Sequence, residues 1–323
     1  MPVKRVLVSG AGGFIGRWSV PPLCASGYEV HAVVSHTVGR ILPPQLMSAR
    51  VHVADLLDHS AIDRLFKSIM PTHLLHFAWI ATPGLYWSSD ENYRWLAASR
   101  YLLGAFRDNG GARAMMAGSC AEYDWSRVKI CHELRSPLAD DSAAAPTPYA
   151  ACKIALQGSL QESARDNGLS AAWGRIFFQF GPGEHPDRLV PSVIGNLLMN
   201  REAPCSHGRQ IRSFLHVADV GAAFAAVLDS RLEGPVNIGS GERISIAGLV
   251  DRIARQIGRV DLVRLGARCA PEGEPAVLLP DLDRLRKELG FKPAYTLTEG
   301  LADTIAWWRS RLIVDPAGAA GPS

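Results

Sequence analysis

The chain has 323 residues with 34 basic and 31 acidic side chains, a formal net charge of +3. This near balance excludes a strongly basic surface for nucleic acid, and no stretch of 18 uninterrupted apolar residues predicts a membrane span. The N-terminus lacks the features of a signal peptide, and the six cysteines show no C-x-x-C spacing. These features predict a cytoplasmic protein with reduced thiols and no metal site.

Strand-like and helical segments alternate along the first half of the chain. The predicted strands are Val3–Val8, Glu29–Val34, Arg50–Val53, His73–Phe77, Ala114–Ala117 and Ala171–Phe177. The predicted helices are Arg17–Ser26, Ala61–Ile69, Glu91–Asp108 and Tyr149–Asn167. This order predicts an α/β fold of the Rossmann type, with a doubly wound parallel sheet and helices on both faces.

A glycine-rich turn joins the first predicted strand to the first helix. Gly10 allows a tight turn, Gly13 lets the backbone approach a pyrophosphate, and Gly16 lets the helix pack closely on the strand. Phe14 and Ile15 precede the helix, where free N–H groups bind anions. The order of strand, turn and helix predicts that the chain binds a dinucleotide.

Beyond residue 181 the alternation is less regular, although Leu189–Asn200 and Ile246–Ile257 are predicted helices. We expect a smaller, interleaved substrate domain in this C-terminal part. The predicted boundaries are 1–175 for the dinucleotide-binding domain, with 210–260 partly returning to it, 176–209 and 261–315 for the substrate domain, and 316–323 for a disordered tail.

Tyr149 and Lys153 are the strongest candidates for chemistry. They lie four residues apart in a predicted helix, and therefore on one face of it. An ammonium beside a phenol lowers the phenol's pKa, which is otherwise near ~10. The spacing therefore predicts a tyrosine that exchanges protons near neutral pH.

Several motifs in chain order resemble those of a known family. They are G-A-G-G-F-I-G at 10–16, Asp55 after the third strand, H-F-A at 76–78, G-S-C-A-E-Y at 118–123, Y-A-A-C-K at 149–153, F-G-P-G at 180–183, R-S-F-L-H-V-A-D-V at 212–220 and V-N-I-G-S-G-E at 236–242. With these motifs the chain resembles the extended short-chain dehydrogenase/reductase family. Within that family it is similar to the nucleotide-sugar epimerases, dehydratases and reductases.

The resemblance implies an NAD(P)-dependent oxidoreductase. Tyr149 is the expected general acid/base at the sugar oxygen, Lys153 is expected to hold the nicotinamide ribose, and Ser119 is expected to hydrogen-bond the reacting oxygen. Three further residues are implied at the cofactor site: Asp55, Leu56 and Ala78. The resemblance also implies a homodimer, which we expect to form through the helical faces at 61–69 and 91–108.

The type of reaction depends on departures from the family pattern. The 4,6-dehydratases carry an Asp-Glu pair directly after the serine position, where this chain has Cys120 and Ala121. Without these carboxyl groups the elimination of water lacks its acid and base, so a dehydratase is not expected. A reductase and an epimerase both remain open, because both need only the Ser, Tyr and Lys.

The sequence favours NADP over NAD as the cofactor. NAD enzymes usually carry an acidic residue at the end of the second strand, where it binds the ribose 2′-hydroxyl. Here that position is Val34, which would not repel a 2′-phosphate. Ser35, His36, Arg17 and Arg40 are candidates to contact such a phosphate.

The substrate residues depart from the family pattern as well. Arg212 is the expected ligand of a nucleotide-sugar diphosphate, because a guanidinium matches phosphate oxygens. Phe178 replaces an Asn at the substrate site, and Pro271 replaces a second diphosphate arginine. Arg268 is expected to bind the diphosphate in place of that arginine, and Arg188 is a further candidate to contact the substrate.

Four aromatic residues lie in loops that are expected to surround the substrate: Trp79, Tyr86, Trp87 and Trp125. Their rings either stack on the apolar edge of a deoxy sugar or cover the hydrophobic core beneath the loops. Trp95 replaces an Asn that braces the active-site strands in the family, and Asn92 is expected to compensate.

The sequence therefore predicts an NADP(H)-preferring reductase of a nucleotide-linked 4-keto(-6-deoxy) sugar. The alternatives are an NAD-dependent nucleotide-sugar 4-epimerase and a reductase of a small non-sugar ketone.

Overall fold

The computed structural model describes residues 4–35, 42–141 and 146–314. The strands are β1 (Arg5–Ser9), β2 (Glu29–Val34), β3 (Arg50–Val53), β4 (His73–His76), β5 (Arg113–Ser119), β6 (Ile130–Cys131), β7 (Ser170–Ile176), β8 (Phe178–Phe180), β9 (Ala203–Pro204), β10 (Ile211–Arg212), β11 (Phe214–His216), β12 (Gly234–Ile238), β13 (Ile244–Ser245), β14 (Val263–Arg264) and β15 (Leu279–Pro280). The α-helices are α1 (Gly16–Ala25), α2 (His59–Ile69), α3 (Glu91–Asp108), α4 (Pro148–Asn167), α5 (Leu189–Leu198), α6 (Val217–Leu228), α7 (Ile246–Ile257) and α8 (Leu297–Val314).

Seven parallel strands form the central sheet, in the order β3-β2-β1-β4-β5-β7-β12. The strand order reverses between β1 and β4, which pair in the register Val6 to His73. Loops that follow two strands at such a reversal diverge to opposite faces and leave a crevice at the carboxyl ends. The segments after β1 and β4, which carry Gly10 and Ala78, border this crevice.

Two apolar layers cover the sheet. One face packs on α1 and α6, with Val20, Leu23 and Phe224 among its buried side chains. The other face packs on α2, α3 and α4, where Phe66 and Leu156 are buried. Strands covered on both sides are nearly continuous apolar runs, which explains why the strand positions were visible in the sequence.

A separate apolar cluster lies in the C-terminal part of the chain, where α5, α7 and α8 pack together. Short two-stranded pairings surround it: β8 with β11, β9 with β14, β10 with β13, and β6 with β15. The sheet strand β12 is drawn from this half of the chain, so the two parts are interleaved.

The predicted Rossmann-type fold is confirmed. Glu29–Val34, Arg50–Val53, Glu91–Asp108 and Ile246–Ile257 have the predicted bounds, and the other predicted elements differ at their ends by a few residues. Sequence analysis missed α6, α8 and the seventh strand β12. The predicted tail at 316–323 lies outside the described residues. Within the described ranges, none of the helices is long and apolar enough to cross a membrane.

A buried polar network ties β1, β4 and α3 together below the crevice. The side chain of His76 hydrogen-bonds the hydroxyl of Ser9 at 2.6 Å through Nδ1 and that of Ser99 at 2.8 Å through Nε2. Burial, followed by the nearby ammonium of Lys153, lowers the pKa of His76 to about 3. The imidazole is therefore neutral at physiological pH.

This network predicts a loss of stability in acid. A histidine in the unfolded chain titrates near ~6.5, so below that pH the unfolded chain takes up a proton that folded His76 does not. The stabilisation from His76 is complete above this value and is lost as the pH falls toward 3. Between about pH 7 and about pH 5 we expect His76 to remove about 2 kcal/mol from the free energy of unfolding, measured by urea denaturation. In His76→Asn the free energy of unfolding should fall by about 2 kcal/mol less over this pH range. If the free energies of the two proteins fall in parallel with pH, His76 is not the group responsible.

Candidate active site

The glycine turn after β1 packs against the chain that follows β4. Gly10 has a φ of +65°, and a Cβ on it would stand 2.7 Å from the backbone N of Ala78. Both features require glycine. Gly13 donates its N–H to the carbonyl oxygen of Gly10 at 2.9 Å and closes the turn. Helix α1 begins at Gly16, and its N-cap residue Ile15 supplies no side-chain hydrogen bond.

The other residues predicted for the cofactor lie along the same edge of the sheet. Phe14 is half-buried within the turn. Asp55 follows β3 and accepts a backbone N–H through Oδ1 at 2.9 Å, and Leu56 beside it is buried. Ser35 follows β2, whereas Arg40 lies outside the described residues. No side chain caps the N-terminus of α1, so this helix end and the flanking residues could hold the pyrophosphate of a dinucleotide.

Arg17 lies at the glycine turn and contacts the loop that follows β8. Its Nε donates to the carbonyl oxygen of Gly13 at 2.8 Å, and a Cβ on Gly183 would stand 2.9 Å from its Nη1. Arg17 thus joins the turn to the C-terminal half of the chain. His36, the other candidate for a 2′-phosphate, is outside the described ranges.

Ser119 ends β5 and begins a 3₁₀ turn over Cys120–Glu122. Its hydroxyl oxygen accepts the N–H of Ala121 at 3.1 Å, and the side chain of Glu122 accepts the N–H of Ser119 at 2.6 Å. This reciprocal pair is a capping box. It fixes the serine side chain at the carboxyl end of the strand.

Tyr149 lies in the first turn of α4, which Thr147 caps by accepting the N–H of Ala150 at 3.2 Å. Burial raises the pKa of Tyr149, and the nearby hydroxyl of Ser119 lowers it by less. The phenol is therefore protonated at neutral pH.

Lys153 lies one turn further along α4 and is buried. Its Nζ donates to the carbonyl oxygen of Ala117 at 2.9 Å and stands 3.8 Å from the ring centroid of Trp79. The same nitrogen is 5.9 Å from the ring of Tyr149. Burial lowers the pKa of Lys153 to about 7.

The structure brings Ser119, Tyr149 and Lys153 together, but the pKa of Tyr149 differs from the prediction. The spacing of Tyr149 and Lys153 predicted a lowered phenol pKa, whereas burial raises it. The ammonium is directed to Ala117 and Trp79, so its charge does not offset the cost of burying a phenolate.

Aromatic side chains surround Tyr149. The rings of Tyr86 and Trp87 meet it edge-on, with centroids 4.9 Å and 5.6 Å away. Trp125 stands edge-on to Trp87 at 5.9 Å and donates its Nε1–H to the carbonyl oxygen of Cys120 at 2.8 Å. Tyr86 and Trp87 therefore contact the ring of Tyr149, Trp125 lies behind Trp87, and Trp79 lies on the lysine.

Asn92 holds the loop that carries these aromatics. It is fully buried, donates to the carbonyl oxygens of Tyr86 at 2.7 Å and Ser89 at 2.8 Å, and accepts the Nε1–H of Trp79 at 2.8 Å. These bonds tie the segment between β4 and α3 to the start of α3.

Arg188 stands at the outer side of the pocket. Its guanidinium lies 5.1 Å from the ring centroid of Tyr86. Burial raises the pKa of the nearby Glu184 to about 8, and the charge of Arg188 lowers it by less. Arg188 is therefore one ring away from Tyr149, in contact with the predicted substrate pocket.

Arg212 is buried beside the same pocket and is paired with an acidic residue. Its Nη2 donates to Glu274 at 2.8 Å, and the other oxygen of that carboxylate accepts Nε2 of Gln210 at 2.8 Å. Phe178 packs under the guanidinium at 5.2 Å. Burial raises the pKa of the Cys120 thiol to about 12, and the charge of Arg212 lowers it by less. This effect requires Arg212 to lie near the Ser119 turn.

Arg268 is not brought into this group. It is exposed, and its backbone N–H bonds the carbonyl oxygen of Cys205 at 3.0 Å. Sequence reasoning missed Glu122 and Glu274. Glu274 lies three residues after Pro271, and the arginines paired with Glu122 and Glu274 are more than 50 residues away, so spacing gave no signal for these ion pairs. The spacing of Ser119 and Glu122 is that of a capping box, which was the one signal available for Glu122.

Comparisons with known proteins agree with this geometry. The chain matches the model of the NAD dependent epimerase/dehydratase family over residues 6–239. It is 29% identical to dTDP-4-dehydro-6-deoxy-D-allose reductase of Streptomyces bikiniensis, over 95% of this chain and 96% of that protein. It is 25% identical to UDP-glucose 4-epimerase of Bacillus subtilis (strain 168), over 95% of this chain and 97% of that protein.

The fold is shared with the crystal structure of UDP-glucose 4-epimerase of Thermus thermophilus in complex with NAD. The TM-score is 0.79 and the identity is 25%, over 94% of this chain and 99% of that chain. The family match at residues 6–239 contains the glycine turn and the Ser119, Tyr149 and Lys153 group. The chain therefore belongs to the NAD dependent epimerase/dehydratase family and is an enzyme of the extended short-chain dehydrogenase/reductase type.

Proposed function

We propose that this enzyme reduces the 4-keto group of a nucleotide-linked 6-deoxy sugar, with NADPH as the preferred reductant and Tyr149 as the proton donor. The observation that carries this proposal is the convergence of Ser119, Tyr149 and Lys153 at the carboxyl end of β5. The phenol of Tyr149 carries its proton at neutral pH, and reduction of a ketone requires an acid.

The residues divide the work of reduction between them. The hydroxyl oxygen of Ser119 accepts the N–H of Ala121, so its own proton is left to donate to a ligand oxygen or to Tyr149. The keto oxygen would accept hydrogen bonds from Ser119 and Tyr149, and the Tyr149 proton would pass to it as the carbonyl becomes an alcohol. The bound nicotinamide supplies the hydride to the carbonyl carbon. Lys153 would hold the nicotinamide ribose, and the N-terminal end of α1 would bind the pyrophosphate.

Two features support reduction over other reactions of the family. Cys120 and Ala121 occupy the positions at which a dehydratase needs carboxyl groups, and burial raises the pKa of the Cys120 thiol to about 12. The end of β2 is Val34, where a carboxylate would reject the 2′-phosphate of NADPH. The reductase from Streptomyces bikiniensis, at 29% identity, is consistent with this proposal.

The nucleotide diphosphate would bind at Arg212. This guanidinium is 1% exposed and is paired with Glu274 through Nη2, while its buried Nε has no hydrogen-bond partner within the described residues. Arg188, beside Tyr86, is the second cation that we assign to the substrate. Two subunits would pair through α2 and α3 as a homodimer.

A 4-epimerase with tightly held NAD is the second candidate. The observation that favours it is the contact of Arg17 with Gly183, which joins the glycine turn to the C-terminal half and would slow cofactor exchange. The similarity to two UDP-glucose 4-epimerases is consistent with it. A reductase of a small non-sugar ketone is the third, and it requires Arg212 to be dispensable.

The acid role of Tyr149 predicts the effect of removing its hydroxyl. With NADPH and a nucleoside diphosphate 4-keto-6-deoxy sugar, Tyr149→Phe should lower kcat about 10²- to 10⁴-fold. The affinity for NADPH, measured by fluorescence titration, should change little. Tyr93→Phe is the control, because Tyr93 is exposed on α3 and should leave kcat unchanged. NADPH consumption equal to product formed is expected. Conversion of the sugar without net consumption would identify the epimerase instead.

The diphosphate role of Arg212 predicts a second result. Arg212→Gln should raise KM for the nucleotide sugar about 10- to 100-fold, since hydrogen bonds to charged groups contribute about 1.5–3 kcal/mol. Arg268 lies on an exposed loop, so Arg268→Gln should change KM by less than about two-fold. Equal KM values for wild type and Arg212→Gln would favour a small-ketone substrate.

A further inference from the structure

The carboxylate of Glu122 is fully buried directly below Ser119. One oxygen accepts the backbone N–H of Ser119 at 2.6 Å. The other accepts the indole N–H of Trp173 at 2.9 Å and Nε–H of Arg175 at 2.7 Å. Both oxygens are therefore engaged within the protein, which excludes a direct role in binding substrate.

Arg175 extends this contact to the helix that carries Tyr149. Its Nη2 donates to Oε1 of Gln157 at 2.8 Å, and Gln157 lies one turn beyond Lys153 in α4. Its Nη1 donates to the hydroxyl of Tyr123 at 3.1 Å and to the carbonyl oxygen of Glu133 at 3.0 Å. A continuous chain of hydrogen bonds thus runs from Ser119 through Glu122 and Arg175 to α4.

The backbone leaves room for this carboxylate. A Cβ on Gly118 would collide with Oε1 of Glu122 and with the indole nitrogen of Trp173. The glycine before Ser119 is therefore required by the buried side chains, and the capping box at Ser119 forms only with an acceptor such as Glu122 at its third position.

We propose that Glu122 is a positioning residue, which fixes Ser119 against Tyr149 through its backbone bond to Ser119 and through Arg175 and Gln157. The proposal rests on the proposed roles of Ser119 and Tyr149. Beyond the larger effect of burial on both groups, the charge of Glu122 raises the pKa of Tyr149 and of Lys153. The charged and titratable groups around it are Arg175 on β7, Tyr149 and Lys153 on α4, and Cys120 and Tyr123 on its own turn, with Glu133 beyond Arg175.

Glu122→Gln tests the proposal because it keeps the size of the side chain and removes its charge. An amide cannot accept from Ser119, Trp173 and Arg175 together, since one end of it is a donor. We expect kcat to fall about 10- to 100-fold, with KM for the cofactor within about two-fold. Loss of the charge should also lower the pH midpoint for ionising Tyr149 by about one unit.

The midpoint is measured without substrate, from the ultraviolet absorbance of the phenolate as the pH is raised. The absorbance of Tyr149 is obtained by subtracting the absorbance of the Tyr149→Phe counterpart from that of each protein. The matched control is Glu133→Gln. Glu133 is also buried and bonded, to the N–H of Asn237 at 3.1 Å, but lies on the far side of Arg175. It should leave the midpoint of Tyr149 and kcat unchanged.

Gln157→Leu provides a second variant if Glu122→Gln does not fold. It cuts the chain of bonds to α4 while Glu122 and Arg175 stay paired, so we expect kcat to fall about 10-fold with an unchanged midpoint. A Glu122→Gln protein with the wild-type midpoint and kcat would overturn the proposal, as would equal effects from Glu133→Gln. If the wild-type enzyme is inactive on all nucleotide keto sugars, the proposed function is rejected. A shifted Tyr149 midpoint in Glu122→Gln would still support the positioning role in that case.

Discussion

The ion pair between Glu122 and Arg175 is the interaction on which the geometry of the candidate active site depends. Both side chains are almost completely buried, 0% and 2% exposed, so removing them from water is costly. Hydrogen bonds to Trp173, Tyr123 and Gln157 satisfy their remaining polar groups and offset that cost. The pair joins the end of β5, which carries Ser119, to α4, which carries Tyr149 and Lys153. A displacement of either element would break several bonds at once.

The sheet determines where the candidate site lies. Because the strand order reverses between β1 and β4, the loops that follow them diverge, and the glycine turn and Ala78 border one crevice. β5 ends at Ser119 along the same edge, and α4 brings Tyr149 and Lys153 to it. Burial in this crevice raises the pKa of the phenol and lowers the pKa of the lysine to about 7. The same desolvation therefore disfavours the charged form of both groups.

Local patterns explain what the sequence predicted well. The parallel strands are short apolar runs, the glycine turn is set by close backbone approach at Gly10, and Tyr149 and Lys153 are one helical turn apart. Contacts between distant segments were not predictable in this way. The pairing of Arg212 with Glu274 and of Arg175 with Glu122 depends on tertiary packing, and so does the position of Lys153 over Trp79. The pKa of Tyr149 was wrongly predicted for the same reason, since burial exceeds the effect of a neighbour in the helix.

The most direct test of the proposed reductase is mass spectrometry of the cofactor that acid releases from freshly purified protein, with NADPH and NADH binding titrated on the same sample. We expect protein without bound cofactor and tighter binding of NADPH, because Val34 places no carboxylate at the end of β2 to repel a 2′-phosphate. Stoichiometric NAD carried through purification would contradict it and would identify an epimerase that keeps its cofactor between turnovers.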